Sequence, residues 1–191
     1  MSDKILEYEK ILQERLTPKR YNHSLCVADE AVRLTAKYGG DPEKAYIAGL
    51  LHDITKNATK QEHLQIFEEF GIMLNDVEKN AEKLWHAISG AAFIEHKLAI
   101  ADSDILTAVR YHTTARANMS QLEKILYLAD YTSSDRDYDD VDIMRQKVEI
   151  SIEEAMHYAL TYTINDLVAQ GKPLHLDTVK AYNQVALKGE N

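Results

Sequence analysis

The sequence contains only one cysteine, three prolines and seven glycines among its 191 residues. Because Cys26 stands alone, the chain can form neither an internal disulfide framework nor a thiolate metal cluster, a cysteine usage that suits a reducing cytosol. The sequence also lacks a run of roughly 18 apolar residues, the length that predicts a membrane span. Its start, MSDKILEYEK, is charged and therefore unlike a secretory signal. These absences predict a cytoplasmic protein.

Positive charge is scarce relative to negative charge. Lys and Arg together number 22 and Asp and Glu number 31, so the formal net charge is −9. This surplus repels duplex nucleic acid and anionic membrane surfaces, so neither is an expected partner. A ligand that carries phosphate would have to meet a local group of cations.

Length and composition predict a single folded domain over residues 1–191. A chain of this size can bury one substantial core. Hydrophobic residues make up 45% and charged residues 28%, which is close to the balance of ordinary globular proteins.

The few helix-breaking residues lie where helices would begin or end. Thr17-Pro18 and Asp41-Pro42 each offer an N-cap followed by a first-turn proline, and Gly39-Gly40 ends the helix between them. No segment shows the sustained alternation of a β-hairpin. The sequence therefore predicts an all-α fold, with further helices starting at the capping pairs Thr59 with Glu62, Asn75 with Glu78, and Ser120 with Glu123.

The segment 141–170 is predicted to form the longest helix. Apolar residues recur there at three- and four-residue steps, and Gly171 supplies a C-terminal stop.

Four of the eight histidines are expected to share one centre. His23, His52, His86 and His112 each accompany a predicted helix with small or aliphatic neighbours. A buried imidazole without a partner costs about 1–3 kcal/mol, so a shared centre is simpler than four separate networks. From the residues alone, the other histidines are interpreted as structural or solvated; these are His63, His96, His157 and His175.

Two aspartates interrupt apolar segments. Asp53 follows His52 directly in AGLLHDITK, and Asp130 lies in KILYLADYT. Two separate ion pairs or caps are one explanation. A bound cation is the other, and it would compensate both buried charges at once.

The order of these residues resembles the HD-domain phosphohydrolase superfamily. The segments RYNHSLCVA, LLHDITK, YHTTARANMS, KILYLADYTSSDR and HLDTVKAYN are similar to its YqeK family over nearly the whole chain. The resemblance implies a helical bundle whose metal core spans about 18–140, followed by the long helix and a C-terminal segment, 141–191. It further implies symmetrical cleavage of diadenosine tetraphosphate to two ADP by metal-activated water, with iron as the expected metal and Mn, Zn, Ni or Co as alternatives.

The resemblance also assigns roles to individual residues. The implied metal ligands are His23, His52, Asp53 and Asp130, while His86 and His112 either bind a second metal or contact phosphate. Lys56 would reach a phosphate if the helix continues through it. The implied catalytic residues are Asp53, Lys56, His86 and His112. The implied substrate-binding residues are His23, Lys56, His86, His112, Thr113, Asp130, Arg136, Pro173, Leu174, His175 and Thr178.

Two positions depart from the pattern of that family. Ala115 and Asn118 stand where glycine is common, which restricts the backbone next to the expected phosphate site. An HD-type 5′-nucleotidase or deoxynucleotide phosphohydrolase is an alternative function, because its metal centre would be similar. A nucleotide-binding helical module without turnover and a purely structural bundle are further alternatives. The expected partner is a small nucleotide, and a homodimer is left open.

Overall fold

The structure is a computed structural model, and it describes residues 3–188 of the chain. No β-strand occurs among these residues, so the prediction of an all-α protein is confirmed. None of the helices is long and apolar enough to cross a membrane. In chain order the elements are α1 (Asp3–Arg15), α2 (Pro18–Tyr38), α3 (Pro42–Leu51), α4 (Lys60–Glu69), α5 (Asp76–Asn80), a 3-10 turn (Glu82–Leu84), α6 (Trp85–Lys97), α7 (Ser103–Tyr111), α8 (Gln121–Thr132), α9 (Val141–Ile150), α10 (Ile152–Ala169) and α11 (Leu176–Lys188).

Capping side chains start the helices at the predicted positions. Asn75 and Ser120 each form a complete capping box with the glutamate three residues on. Thr59 also caps its helix by accepting the backbone N–H of Glu62. The carboxylate of Glu62, however, pairs with Arg15 of α1, so this side chain ties two helices together instead of closing a box.

The prediction of one long helix over 141–170 is wrong. Ser151 adopts an extended conformation, with φ −161° and ψ 159°, and divides the segment into α9 and α10. Its hydroxyl accepts the backbone N–H of Glu154 at 3.0 Å. A serine N-cap therefore interrupts a pattern of apolar residues that continues on both sides. The longest helix is α2, with 21 residues.

Helix α3 lies at the centre of the bundle and contacts α2, α7 and α8. Gly49 permits the close crossing with α2, because a Cβ atom there would lie 2.6 Å from the Cα atom of Ala28. Leu50 and Leu51 at the end of α3 are fully buried. The crossing therefore holds the C-terminal end of α3, and the residues that follow it, against the middle of the core.

Candidate metal and phosphate site

Side chains from five segments meet at the end of α3. The structure brings together all six residues of the predicted centre: His23 on α2, His52 and Asp53 directly after α3, His86 at the start of α6, His112 directly after α7, and Asp130 on α8. The imidazole rings form a continuous row, with centroid separations of 5.3 Å from His23 to His52, 5.0 Å from His52 to His112 and 5.1 Å from His112 to His86. All four histidines and Asp53 are buried.

The two histidines that follow helix ends are oriented by backbone carbonyls. Nδ1 of His52 lies 2.7 Å from the carbonyl oxygen of Gly49, and Nδ1 of His112 lies 2.7 Å from that of Val109. A carbonyl only accepts, so each Nδ1 carries the proton and donates it. In a neutral ring with this proton, Nε2 presents a lone pair to the centre, which is the orientation that a metal ligand requires, and in a protonated ring Nε2 donates a hydrogen bond instead.

One group of donor atoms surrounds Asp130. Its Oδ1 lies 2.9 Å from Nε2 of His23 and 3.9 Å from Nε2 of His52. Nε2 of His52 also lies 3.5 Å from Oδ2 of Asp53. One atom each from His23, His52 and Asp130 lies within 4.8 Å of the others, which is close enough for one ion to contact all three.

A second group surrounds the other oxygen of Asp53. Oδ1 lies 3.1 Å from Nε2 of His86 and 3.7 Å from Nε2 of His112, and these two nitrogen atoms are 3.2 Å apart. His52, Asp53 and His112 also satisfy the distances for a metal ion. Asp53 thus faces both groups with one carboxylate oxygen each.

Two buried atoms of the centre have no hydrogen-bond partner among the described residues: Nε2 of His52 and Oδ1 of Asp53. Leaving such groups unsatisfied costs about 1–3 kcal/mol each, and more for a charged group. A cation in contact with both would remove that cost. Imidazole and carboxylate donors together suit divalent transition metals, so these residues fit a metal ion.

The protonation states at neutral pH also suit a cation. Burial raises the pKa of Asp53, but the nearby imidazole rings of His52, His112 and His86 hold this pKa well below its usual range. Burial also raises the pKa of Asp130, but the hydrogen bond with His23 and the charge of Arg136 keep this pKa well below its usual range. Burial lowers the pKa of His86 to about 4, so this imidazole is neutral at pH 7. Anionic carboxylate oxygens and the neutral ring of His86 therefore face the centre.

Three cations surround the two carboxylates. Arg20 donates to Oδ2 of Asp53 at 2.9 Å. Nζ of Lys56 lies 3.0 Å from Nε2 of His86 and 3.6 Å from Oδ1 of Asp53. Arg136 donates to Oδ1 of Asp130 and, through Nε, to the Asp130 carbonyl at 2.6 Å. These three cations supply the local positive charge that a phosphate-bearing ligand would need in a protein of negative net charge.

Lys56 reaches the centre by a different backbone path from the one expected. Helix α3 ends at Leu51, so no helix continues through Lys56. Tight turns follow, in which the N–H of Lys56 donates to the carbonyl of Asp53 at 2.8 Å. Because each turn spans three residues, the side chains of Asp53 and Lys56 still lie on one side of the chain.

Arg20 and Asp135 are neighbours of the centre that sequence reasoning missed. Oδ2 of Asp135 lies 2.8 Å from Nδ1 of His23. Arg20 lies one helical turn before His23, and Asp135 directly precedes Arg136. Those spacings were the available signals, but the fold alone decides which of the many charged residues near a ligand point towards it.

The C-terminal segment packs beside the loop that follows His112. Thr178 donates its hydroxyl hydrogen to the carbonyl of Thr114 at 2.7 Å. The neighbouring hydroxyl of Thr113 is buried without a hydrogen-bond partner among the described residues. Pro173 is exposed and Leu174 partly buried.

His175 has partners away from the histidine row. Its Nε2 lies 3.0 Å from the amide nitrogen of Asn75 and 3.4 Å from Oε1 of Glu78, at the start of α5. The ring is buried. These contacts give His175 a structural role in attaching the C-terminal segment to α5.

Ala115 and Asn118 both adopt the left-handed backbone that favours glycine. Their φ angles are 56° and 58°. The backbone N–H of Asn118 donates to Oε1 of Gln184 at 2.7 Å, and Nε2 of Gln184 donates back to Oδ1 of Asn118 at 2.7 Å. The loop after α7 therefore keeps the conformation typical of glycine, and a paired amide attaches it to α11.

Comparisons with known proteins agree on one family. The family model named HD domain matches residues 20–135. The chain is 35% identical to the symmetrical bis(5′-nucleosyl)-tetraphosphatase of Halalkalibacterium halodurans, covering 94% of this chain and 95% of that protein. It is 35% identical to the same enzyme of Bacillus subtilis, covering 90% and 92%. The crystal structure of an HD superfamily hydrolase of Clostridium acetobutylicum, said to be involved in NAD metabolism, superposes with a TM-score of 0.93 at 36% identity, covering 96% of this chain and 97% of the other.

Proposed function

The chain belongs to the HD domain family, within its YqeK branch, and on that premise we propose that it is a metal-dependent hydrolase that cleaves diadenosine tetraphosphate symmetrically into two ADP. The relatives with this activity in their names match the chain over nearly its full length. The buried pair of unsatisfied atoms, Nε2 of His52 and Oδ1 of Asp53, is the structural observation that carries the proposal.

His23, His52, Asp53 and Asp130 would hold one metal ion. Iron is the proposed metal, and Mn, Zn, Ni or Co are the alternatives that the same nitrogen and oxygen donors accept. When bound, a divalent metal acts as a Lewis acid towards a phosphate oxygen and lowers the pKa of water, to roughly 7 in favourable cases. Asp53 is also placed to orient the attacking water, because its carboxylate lies between the two groups of histidines.

The charge balance of the site favours an anionic substrate. Asp53, Asp130 and Asp135 contribute three negative charges, which Arg20, Lys56 and Arg136 balance. A divalent ion therefore leaves the centre with an excess of two positive charges. This excess, in a protein of net charge −9, attracts a phosphate chain to one place on the molecule.

Lys56 and Arg136 bind the phosphates. Arg136 presents a planar guanidinium suited to bidentate contact with phosphate, and Lys56 a compact charge. His86 and His112 donate from Nε2, when that atom carries a proton, to the nonbridging oxygens and so stabilise the negative charge that spreads over them. Asp53, Lys56, His86 and His112 are the catalytic residues. Thr113 adds a hydroxyl donor, and the segment 173–178, with Pro173, Leu174, His175 and Thr178, borders the nucleotide.

His86 and His112 contact phosphate in preference to binding a permanent second metal. Lys56 supports this assignment, because its ammonium already lies 3.0 Å from Nε2 of His86. A cation in that place repels a second metal ion but assists a phosphate. Metal analysis that finds one ion per chain supports phosphate contact, and two tightly held ions contradict it.

Product analysis tests the reaction. Protein purified under anaerobic conditions is incubated with diadenosine tetraphosphate and, separately, with mononucleotides, and the products are separated by chromatography. ADP as the sole product supports the proposal. Orthophosphate released from mononucleotides, with diadenosine tetraphosphate left intact, identifies an HD-type nucleotidase. Full metal occupancy and tight nucleotide binding without any product identify a non-catalytic binding module.

A matched pair of histidine variants ties the reaction to this centre. His52→Ala removes a ligand and is expected to abolish both metal retention and ADP formation. His157→Gln changes an exposed histidine on α10 and is expected to alter neither. Activity that survives in metal-free His52→Ala protein contradicts the assignment of the centre.

A further inference from the structure

Arg20 reaches the centre from the first turn of α2. Its Nη1 donates to Oδ2 of Asp53 at 2.9 Å, across 33 positions of sequence. The opposite oxygen of the same carboxylate faces His86 and Lys56. Arg20 therefore lies on a different side of Asp53 from His86 and Lys56.

The position of Arg20 in its helix is unfavourable for the helix itself. The N-terminus of a helix carries a partial positive charge, so acidic side chains stabilise the first turn and basic ones do not. The first turn of α2 has no acidic residue and carries Arg20 instead. Helix stability thus gives no reason for a cation here. Arg20 and the helix terminus add their positive potentials, which favour both the carboxylate of Asp53 and a further anion beside it.

Arg20 lies at the same depth as the two other cations. The side chains of Arg20, Lys56 and Arg136 are 30%, 33% and 33% exposed. Each contacts one of the two carboxylates, the buried Asp53 or the partly buried Asp130, and keeps part of the side chain open to solvent. The guanidinium has five N–H donors, and its one hydrogen bond among the described residues is to Asp53. Several donors therefore remain for a ligand at the rim of the centre.

We propose that Arg20 is a substrate-binding residue that contacts the phosphate chain on the Asp53 side of the centre, while Arg136 contacts it on the Asp130 side. The proposal rests on the proposed function. A chain of several phosphates can offer a separate phosphate to each of the two arginines, whereas a mononucleotide with one phosphate cannot. Arg20 thereby favours a polyphosphate substrate over a mononucleotide.

Binding measurements separate this role from the mere positioning of Asp53. The probe is an analogue of diadenosine tetraphosphate in which a methylene group replaces the central bridging oxygen, so that it cannot be cleaved there. Calorimetry is performed on Mn²⁺-saturated protein, which keeps metal occupancy equal among variants. Arg20→Gln is expected to weaken binding by about tenfold, which corresponds to about 1.4 kcal/mol.

Arg33→Gln is the matched control, because it removes the same charge from a surface ion pair with Glu30 and Glu149. It is expected to bind the analogue as the wild type does. If Arg20→Gln binds the analogue with wild-type affinity, the proposed role of Arg20 is overturned. The same holds if Arg20→Gln loses Mn²⁺ in buffer but binds the analogue normally once it is reloaded with Mn²⁺. If Arg20→Gln does not fold, Arg20→Lys replaces it: threefold weaker binding supports the proposal and unchanged binding overturns it. A wild-type protein that does not bind the analogue overturns the proposed function as well.

Discussion

Nδ1 of His23 lies 2.8 Å from Oδ2 of Asp135. The other ring nitrogen of His23 lies 2.9 Å from Asp130, on the side of the proposed metal. An Asp135 carboxylate that accepts the Nδ1 proton fixes the ring orientation and makes Nε2 a stronger base. Burial raises the pKa of Asp135, but Ser133 and His23 lower this pKa by more than burial raises it. The carboxylate is therefore ionised at neutral pH.

Asp135→Asn is expected to weaken metal binding by roughly 10- to 100-fold, the usual effect of losing such an outer partner of a histidine ligand. The amide can no longer attract the Nδ1 proton as a carboxylate does. Competition with a chelator, followed by metal analysis, measures the change.

Asp137→Asn provides the control for this change. Asp137 is an exposed carboxylate two residues further along the same loop, so its replacement alters the net charge equally. Equal metal affinity in the two variants would show that Asp135 acts only through its charge.

His86→Ala is expected to lower kcat by roughly 100-fold while the metal content stays unchanged, because His86 is proposed to stabilise charge on phosphate. His86→Gln keeps an N–H donor near the position of Nε2 and should recover part of that loss. Steady-state rates and metal analysis of the same samples measure both quantities. Loss of one metal ion per chain in both variants would instead identify His86 as a ligand.

Glu78 is expected to make stability depend on acid pH. It pairs with Arg110 at 2.5 Å and faces His175. Burial raises the pKa of Glu78, but hydrogen bonding at Asn75 and the charge of Arg110 bring it below its ordinary value of 4.5. A lowered pKa means that the folded state favours the ionised form. The stabilisation is therefore complete above about pH 4.5 and is lost as the pH falls through the folded-state pKa.

Glu78→Gln should consequently lower the free energy of unfolding by about 1–3 kcal/mol at pH 7. The difference from the wild type should shrink below pH 4.5. Urea unfolding of both proteins across pH 3 to 7 gives the comparison. A difference that stays constant over this range would exclude the ionisation of Glu78 as its source.

Ala99→Gly is expected to stabilise the protein. Ala99 is exposed and has φ 54°, and the N–H of Ile100 donates to the carbonyl of Ile94 across it, as in a helix C-terminus that ends on glycine. Left-handed backbone costs alanine about 1–2 kcal/mol, whereas glycine loses about 0.5–1 kcal/mol more conformational freedom on folding. The net gain of about 0.5–1 kcal/mol should raise Tm by about 1–4 °C.

Gly71→Ala is the reverse experiment at the end of α4. Gly71 has φ 65°, and a Cβ atom there would meet nothing within 4 Å, so backbone strain alone should lower Tm. If both substitutions shifted Tm in the same direction, left-handed strain could not be the cause.

The histidine row shows how far local patterns could lead. The sequence by itself determined the helical fold, because prolines, glycines and capping side chains act within a few residues of where they stand, as at Thr17-Pro18 and Ser120. It also indicated which histidines and aspartates accompany apolar segments, and the resemblance to HD proteins assigned the resulting six residues to one metal centre. One local signal was misjudged, since the apolar pattern continues across Ser151 although the helix does not.

Only the tertiary structure decided how the charged residues are paired. Arg20 and Asp53 are 33 positions apart, and His23 and Asp135 are 112 positions apart, yet each pair is hydrogen-bonded. Such contacts depend on the close crossing of α2 and α3 at Gly49 and on where the loop after α8 returns. Many charged residues could satisfy the same local rules, and packing selects among them. The sequence thus determined the elements and the ligand types, while packing decided which cations and carboxylates surround them.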